Sequence, residues 1–129
     1  MAKGKGEYKG TNVQSLNKRD FTIKGDKVYV KAAKFKGNVG VIKLYAPWCP
    51  HCQNMVKPLS KLADVLKPYA ISVGAVDCDN TRANNNVLAE KLGLEGFPTM
   101  YIVKKNGRLM QHDGPNDNKA LINGMQRYT

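Results

Sequence analysis

Residues 49 to 52 read Cys49-Pro50-His51-Cys52, and this is where the residue types and spacing of the 129-residue chain can do chemistry. Two thiols three positions apart can form and open a disulfide, provided that one is reachable as a thiolate and the other lies behind it. A helix that starts at Cys49 meets both needs. The unpaired N–H groups and the dipole at its N-terminus favour an anion at Cys49, whereas Cys52, one turn later, begins an apolar stripe and is shielded. Pro50 sits where a first-turn proline is tolerated. His51 adds a cation or a hydrogen-bond donor near Cys49, and each unit of pKa depression is about 1.36 kcal/mol in favour of the thiolate. On the two-electron scale that is roughly 30 mV toward a more oxidising couple. The pair is therefore expected to donate its disulfide, with Cys49 as the attacked or attacking sulfur and Cys52 as the resolving one.

The other chemistry open to such a pair is half of a structural zinc site. Zinc asks for four ligands, and the remaining candidates are Cys78, His51 and His112, with no second close pair. No metal is expected, and no organic cofactor either, since the cysteine pair is itself the redox group. Cys78, at the end of a strand, reads as a small buried side chain, with a regulatory thiol or an intermolecular bridge as the sharper alternative. His112 reads as a surface residue.

The elements around the pair follow from periodicity. Val39 to Ala46 is a nearly continuous apolar run of strand length, the mark of a central strand covered on both faces, and Lys43 is the oddity inside it. After Trp48 the period changes, and Cys52, Met55, Leu59, Leu62 and Leu66 form one helical stripe. Pro58 should kink that helix, because it lacks a backbone donor and crowds the preceding turn. Ile71 to Val76 is the next strand, followed by a helix from Asn84 to Leu92 that stops at Gly93. The Asn84-Asn85-Asn86 run suits a helix cap. Lys105-Asn106-Gly107 joins the strands 99–103 and 108–111, and Leu121, Ile122, Met125 and Tyr128 mark a last amphipathic helix.

Upstream, Val13 to Leu16 reads as a short strand, Phe21/Ile23 and Val28/Val30 as a hairpin around Gly25-Asp26, and Ala32 to Phe35 as a short helix. The order strand, helix, strand, helix, hairpin, helix gives an α/β domain: a central mixed β-sheet flanked by helices on both faces. Residues 13–129 make up that domain. Residues 1–12, mostly Lys, Gly, Asn and Thr, read as a flexible basic tail, too polar to offset the entropy of ordering them.

Composition bounds the remaining possibilities. The net charge of +11 is uneven, with 11 basic and 3 acidic residues before Leu44. Such a first third can attract nucleic acid or an acidic partner, and the Lys24–Lys36 stretch carries Tyr29 and Phe35 as a single-strand binder would. In the hairpin reading the same residues are solvated lysines outside and aromatics inside. Three cysteines exclude a disulfide scaffold. The chain has no apolar run near the roughly 20 residues that span a bilayer, and no secretory leader or retention signal is read. A cytoplasmic monomer is the expectation.

Tyr45-Ala46-Pro47-Trp48-Cys49-Pro50-His51-Cys52, Pro58, Val76-Asp77, Gly96-Phe97-Pro98-Thr99 and Lys105-Asn106-Gly107 stand in an order and spacing that resemble the thioredoxin superfamily. They are most similar to a catalytic domain of protein disulfide isomerase. The resemblance spans roughly residues 13–129 and implies a thioredoxin fold, dithiol–disulfide exchange with cysteine-containing protein substrates, and a cis bond before Pro98. It also implies that Phe97-Pro98 faces Cys49 and offers backbone groups to a substrate segment, with Trp48 as the apolar rim. Glutathione or another thiol oxidoreductase would be the redox partner.

Three departures stand out. Isomerase domains usually carry Gly-His between the cysteines, whereas Pro-His resembles the bacterial periplasmic disulfide oxidase. The family's buried acidic residue, a proton acceptor for the resolving thiol, falls at Lys43, and its companion lysine falls near Ala75. Lys43 is either a stem reaching the surface or a base whose pKa burial has lowered. The arginine near the last helix has no counterpart in Gly114-Pro115-Asn116. An oxidase or isomerase is expected, with a thioredoxin-like reductant or a basic binding module that retains the fold as alternatives. Leaderless stand-alone domains of this kind also resemble the thiol oxidoreductases of large DNA viruses, which would mean a virion or a viral factory.

Overall fold

A computed structural model of the chain describes residues 6–129. Twelve regular elements follow a short 3-10 turn at Gly6–Tyr8: β1 (Gln14–Leu16), β2 (Phe21–Lys24), β3 (Lys27–Val30), α1 (Ala32–Phe35), β4 (Gly40–Tyr45), α2 (Pro50–Asn54), α3 (Val56–Leu66), β5 (Ser72–Asp77), α4 (Asn85–Leu92), β6 (Thr99–Val103), β7 (Leu109–Gln111) and α5 (Asn118–Gln126). Five strands form one sheet in the order β1-β5-β4-β6-β7. β1, β5 and β4 run parallel, and β6 and β7 are antiparallel, which is the mixed sheet expected. β2 and β3 form a separate hairpin whose Lys24–Lys27 pair closes a two-residue turn at Gly25-Asp26. No helix among the described residues is long and apolar enough to cross a membrane.

β4 is buried along its whole length because both faces of the sheet are covered. Successive side chains alternate between them. Val41 and Tyr45 join the layer formed by α2, α3 and α5, while Ile42 and Leu44 join the layer with α1, α4 and the β2–β3 hairpin. Gly40 has to be a glycine, since a Cβ there would stand 2.4 Å from the Phe35 ring. Phe35 is buried and the lysines of 24–36 lie at the surface or half-buried, so aromatic packing accounts for that stretch.

The apolar stripe holds, with Cys52, Leu59, Leu62 and Leu66 all buried. The break in the helix comes earlier than Pro58. α2 ends at Asn54, and α3 restarts at Val56 around Met55, whose N–H reaches back only to Cys52. Asn54 is four residues before Pro58, where the carbonyl has lost its donor and faces the proline ring. Pro58 then lies inside the first turn of α3, where a missing N–H is harmless.

Two expectations need correction. Residues 6–12 are not a loose tail: Tyr8 is fully buried, and Thr11 bonds back to the Tyr8 carbonyl at 2.7 Å. Tyr8 docks edge-on against Tyr45, with ring centres 5.9 Å apart, so one aromatic side chain anchors a polar segment on a ready-made face of the sheet. The rest of the proposed tail, residues 1–5, lies outside the described residues. Asn84 stands at the cap of α4, as the Asn run suggested, although its side chain makes no capping bond. It adopts a left-handed conformation, and the buried Asn85 instead bridges the Asp77 carbonyl, the Asn17 side chain and the Lys18 N–H. His112, read as a surface residue, is half-buried, and its Nε2 lies 2.7 Å from the Pro115 carbonyl.

Candidate active site

The chain leaves β4 at Tyr45 and enters α2 at Pro50, so Cys49 becomes the residue that caps the helix. Its sulfur fills the role that a capping oxygen usually has. The Cys52 N–H donates to Cys49 Sγ at 3.2 Å, as the free N–H groups of a helix start require. That donor also points at the site where negative charge would sit on a Cys49 thiolate. Both cysteines are free thiols here. They differ in access, Cys49 being 4% exposed at the edge of the apolar layer and Cys52 fully enclosed. Burial first, and the hydrogen bond with Cys49 second, push the Cys52 thiol up to about 12.

The loop before β6 closes the site from the other side. The Phe97–Pro98 peptide is cis, and the Phe97 carbonyl accepts from Cys49 Sγ at 3.5 Å. The Trp48 ring, 65% exposed, meets the Phe97 ring edge-on with centres 6.1 Å apart. Trp48, Cys49, Phe97 and Pro98 are therefore brought together, with Cys49 buried at 4% exposure, Phe97 and Pro98 half-buried and Trp48 exposed. Pro50 is exposed on the first turn of α2. His51 is exposed as well and makes no hydrogen bond to any described residue, so it can act on Cys49 only as a charge across solvent. Cavities of about 200 and 290 Å³ lie on the β1 side of the molecule, and neither reaches Cys49.

Behind Cys52 lies a group that sequence reasoning placed only in part. Lys43 is fully buried, which overturns the reading of a stem reaching the surface. On the α2/α3 face of β4, its Nζ donates to the Cys52 carbonyl at 2.7 Å, to the Tyr8 hydroxyl and to Glu7 Oε1 at 3.3 Å. The rings of Tyr8 and Tyr45 flank it at 4.8 and 5.0 Å. Desolvation lowers the Lys43 pKa, and the Glu7 carboxylate opposes that change. Glu7 and Tyr8 escaped the sequence reading because they sit in a polar stretch with no periodicity. The one signal was an aromatic beside an acid in otherwise featureless sequence.

Cys78 is buried, and desolvation pushes its thiol up to about 12. Among the described residues no three His, Cys, Asp or Glu side chains are grouped as a metal ion would need.

The family model described as Thioredoxin matches residues 21–127. Among curated proteins, the protein disulfide-isomerase of Ricinus communis is 35% identical over 90 residues, covering 69% of this chain and 18% of that protein. The protein disulfide-isomerase of Datisca glomerata is 28% identical over 112 residues, or 86% of this chain and 22% of that one. The chain thus spans about a fifth of the length of these relatives. The first thioredoxin domain of mouse protein disulfide-isomerase A4 superposes with a TM-score of 0.58 at 25% identity, covering 83% of this chain and 78% of that domain. Chloroplastic thioredoxin z, 17% identical, superposes at 0.68 over 91% of this chain and 94% of its own.

Proposed function

The chain belongs to the thioredoxin family, and from that membership we propose that it is a thiol–disulfide oxidoreductase of the oxidase or isomerase type, exchanging disulfides with cysteine-containing proteins through Cys49 and Cys52. The observation that carries this reading is the placement of Cys49 Sγ. It caps a helix, accepts the Cys52 N–H at 3.2 Å, and lies 3.5 Å from the Phe97 carbonyl, next to the exposed Trp48.

In the oxidising direction a substrate thiolate attacks Cys49 Sγ of the enzyme disulfide. The Cys49–Cys52 bond breaks, the Cys49–substrate bond forms, and Cys52 leaves as a thiolate. A second substrate thiolate then attacks the substrate sulfur of this mixed disulfide, forming the substrate's disulfide and releasing Cys49. Two electrons pass from the substrate to the cysteine pair. Attack is directed at Cys49 because Cys52 is enclosed, and the rate follows access as well as thiol acidity. The helix N-terminus stabilises the Cys49 thiolate that is finally released. Trp48 and Phe97 give a passing segment an apolar rim, and the backbone at Phe97 and Pro98 lies beside it. Neither a metal nor an organic cofactor enters this scheme, and glutathione or another thiol oxidoreductase would restore the disulfide.

The test is oxidative refolding of a reduced, disulfide-containing protein. Catalysis is expected with the wild-type protein and lost with Cys49→Ser. Cys52→Ser, offered the same protein in its scrambled, disulfide-bonded form, should attack a substrate disulfide through Cys49, release the other substrate sulfur as a thiolate, and accumulate the mixed disulfide that a non-reducing gel resolves. Refolding no faster than the uncatalysed control, with no trapped adduct, would refute the assignment.

A further inference from the structure

The Cys52 side of the pair presents a problem that the functional reading leaves open. Its sulfur is sealed from water, yet in the oxidising direction it must leave Cys49 carrying a negative charge. An isolated anion in such surroundings is strongly disfavoured. The Cys52 carbonyl accepts from the Nζ of Lys43 at 2.7 Å, and Lys43 shares its sheet face with Val41 and Tyr45. Its neighbours across the sheet, Ala75 and Met100, carry no charge.

We propose, building on that reading, that Lys43 is a positioning residue for Cys52: an ammonium, held by Glu7 and Tyr8 of the N-terminal turn, that stabilises the departing Cys52 thiolate. The hydrogen-bond count favours the charged form. An ammonium has three N–H donors, and Nζ has three acceptors around it: the Cys52 carbonyl at 2.7 Å, Glu7 Oε1 at 3.3 Å and the Tyr8 hydroxyl. The ring faces of Tyr8 and Tyr45 add attraction for a cation on the remaining sides. Among the described residues, the titratable groups around Nζ are Glu7 and Tyr8 from the N-terminal turn, Tyr45 from β4, and Cys49 and Cys52 from the start of α2. Burial keeps the phenols of Tyr8 and Tyr45 protonated, so Glu7 is the counter-charge.

The consequence is a leaving step that moves no proton. When a thiolate attacks Cys49, the Cys49–Cys52 bond breaks and the electron pair stays on Cys52, the residue whose carbonyl the ammonium holds at 2.7 Å. A leaving thiol of lower pKa departs faster, and Lys43 acts on the Cys52 thiol in that direction, against the desolvation that raises it. Glu7 has a second-hand role. Without its carboxylate the buried amine would give up its proton at lower pH, and the charge would be gone when Cys52 needs it.

The experiment follows the opening of the Cys49–Cys52 disulfide by dithiothreitol, sampled by acid quench and thiol counting across a pH series. Wild type, Lys43→Met and Glu7→Gln are compared, and alkylation of reduced Cys49 by iodoacetamide is measured beside them. Lys43→Met should slow opening by about tenfold or more, because the departing Cys52 thiolate loses the cation that favours it. Its Cys49 alkylation should stay within about twofold of wild type, because that reaction does not use Cys52 as a leaving group. Glu7→Gln should open near the wild-type rate at low pH and fall progressively behind as pH rises. A purely structural Glu7 would lower the rate by the same factor at every pH. Opening of Lys43→Met at the wild-type rate, or a Glu7→Gln ratio flat with pH, overturns the inference while leaving the oxidoreductase reading intact. If Lys43→Met does not fold, the Glu7→Gln profile decides. A wild-type protein that forms no Cys49–Cys52 disulfide removes both readings.

Discussion

The Phe97 carbonyl oxygen lies 3.5 Å from Cys49 Sγ, while the Phe97 ring meets the Trp48 indole edge-on at 6.1 Å, so a single residue lines both the reacting sulfur and the apolar rim. The two contacts point in different directions. One engages the backbone and works with any substrate sequence, whereas the other exposes aromatic surface that a substrate side chain can cover.

Trp48→Ala should therefore weaken substrate capture without changing the redox chemistry. Trp48 is 65% exposed, so its loss leaves no cavity in the core and costs little stability. An aromatic anchor at an interface is worth roughly 2 kcal/mol or more when truncated. The expected result is a KM for a protein substrate raised by about tenfold or more, since 1.4 kcal/mol corresponds to tenfold. The reduction potential and the rate with dithiothreitol should be unchanged. An equal loss with the small thiol and with the protein would contradict a rim role.

The Cys49–Cys52 potential should lie above the value of about −270 mV typical of thioredoxin. The helix start at Cys49, with its unpaired N–H groups, favours the reduced state. His51 is exposed and makes no hydrogen bond to any described residue, so its effect on Cys49 is exerted across solvent and is screened by salt. His51→Gln should make the couple more reducing. That shift should shrink at high salt. Equilibration against a glutathione series at two ionic strengths measures both, and a salt-independent shift would point instead to a change in the turn.

Cys78 gives a pH prediction with a definite sign. Burial raises its thiol from 9.0 to about 12. In the unfolded chain the thiol ionises first, so between these values the unfolded state binds fewer protons than the folded one. Folding stability tied to Cys78 is thus present in full below about pH 9 and is lost as pH rises toward 12. Denaturant unfolding of wild type and Cys78→Ala over this range isolates the effect from Cys52, Lys43 and the tyrosines. The stability gap between the two proteins should narrow and then reverse with rising pH. A constant gap would mean that Cys78 meets water in the folded state.

Much of the site is legible in the sequence because its logic is local. Cys49 caps a helix and Cys52 starts a stripe, and both follow from the change of period after Trp48. The Phe97-Pro98 loop follows from resemblance alone, since no spacing ties residue 97 to residue 49. The misplaced features depend on tertiary contacts. Pro58 exerts its effect on Asn54, so the helix breaks a turn before the residue responsible. Lys43 is unreadable as a buried cation until Glu7 and Tyr8 are known to cover it. Those two lie in a segment whose composition predicts no packing, and only the finished face of the sheet gives Tyr8 a place to dock.

That docking supplies the last prediction. Tyr8 is fully buried against Tyr45, α3 and the Lys43 side chain, yet it stands in a segment that composition alone would let one delete. If residues 6–12 were an appendage, Tyr8→Ala would leave thermal stability unchanged. As a core residue its truncation should cost about 3–5 kcal/mol, a fall in Tm of roughly 10 °C or more for a domain of this size. Tyr8→Phe separates the two contributions of the side chain. It keeps the ring and its packing but removes the hydroxyl that accepts from Lys43, leaving one ammonium N–H without its partner. The loss should be about 1–3 kcal/mol, the cost of a buried unsatisfied donor. Thermal and urea unfolding of the three proteins checks the order wild type, Tyr8→Phe, Tyr8→Ala. A Tyr8→Ala protein as stable as wild type would return residues 6–12 to the status of a tail and remove the scaffold on which Glu7 is held beside Lys43.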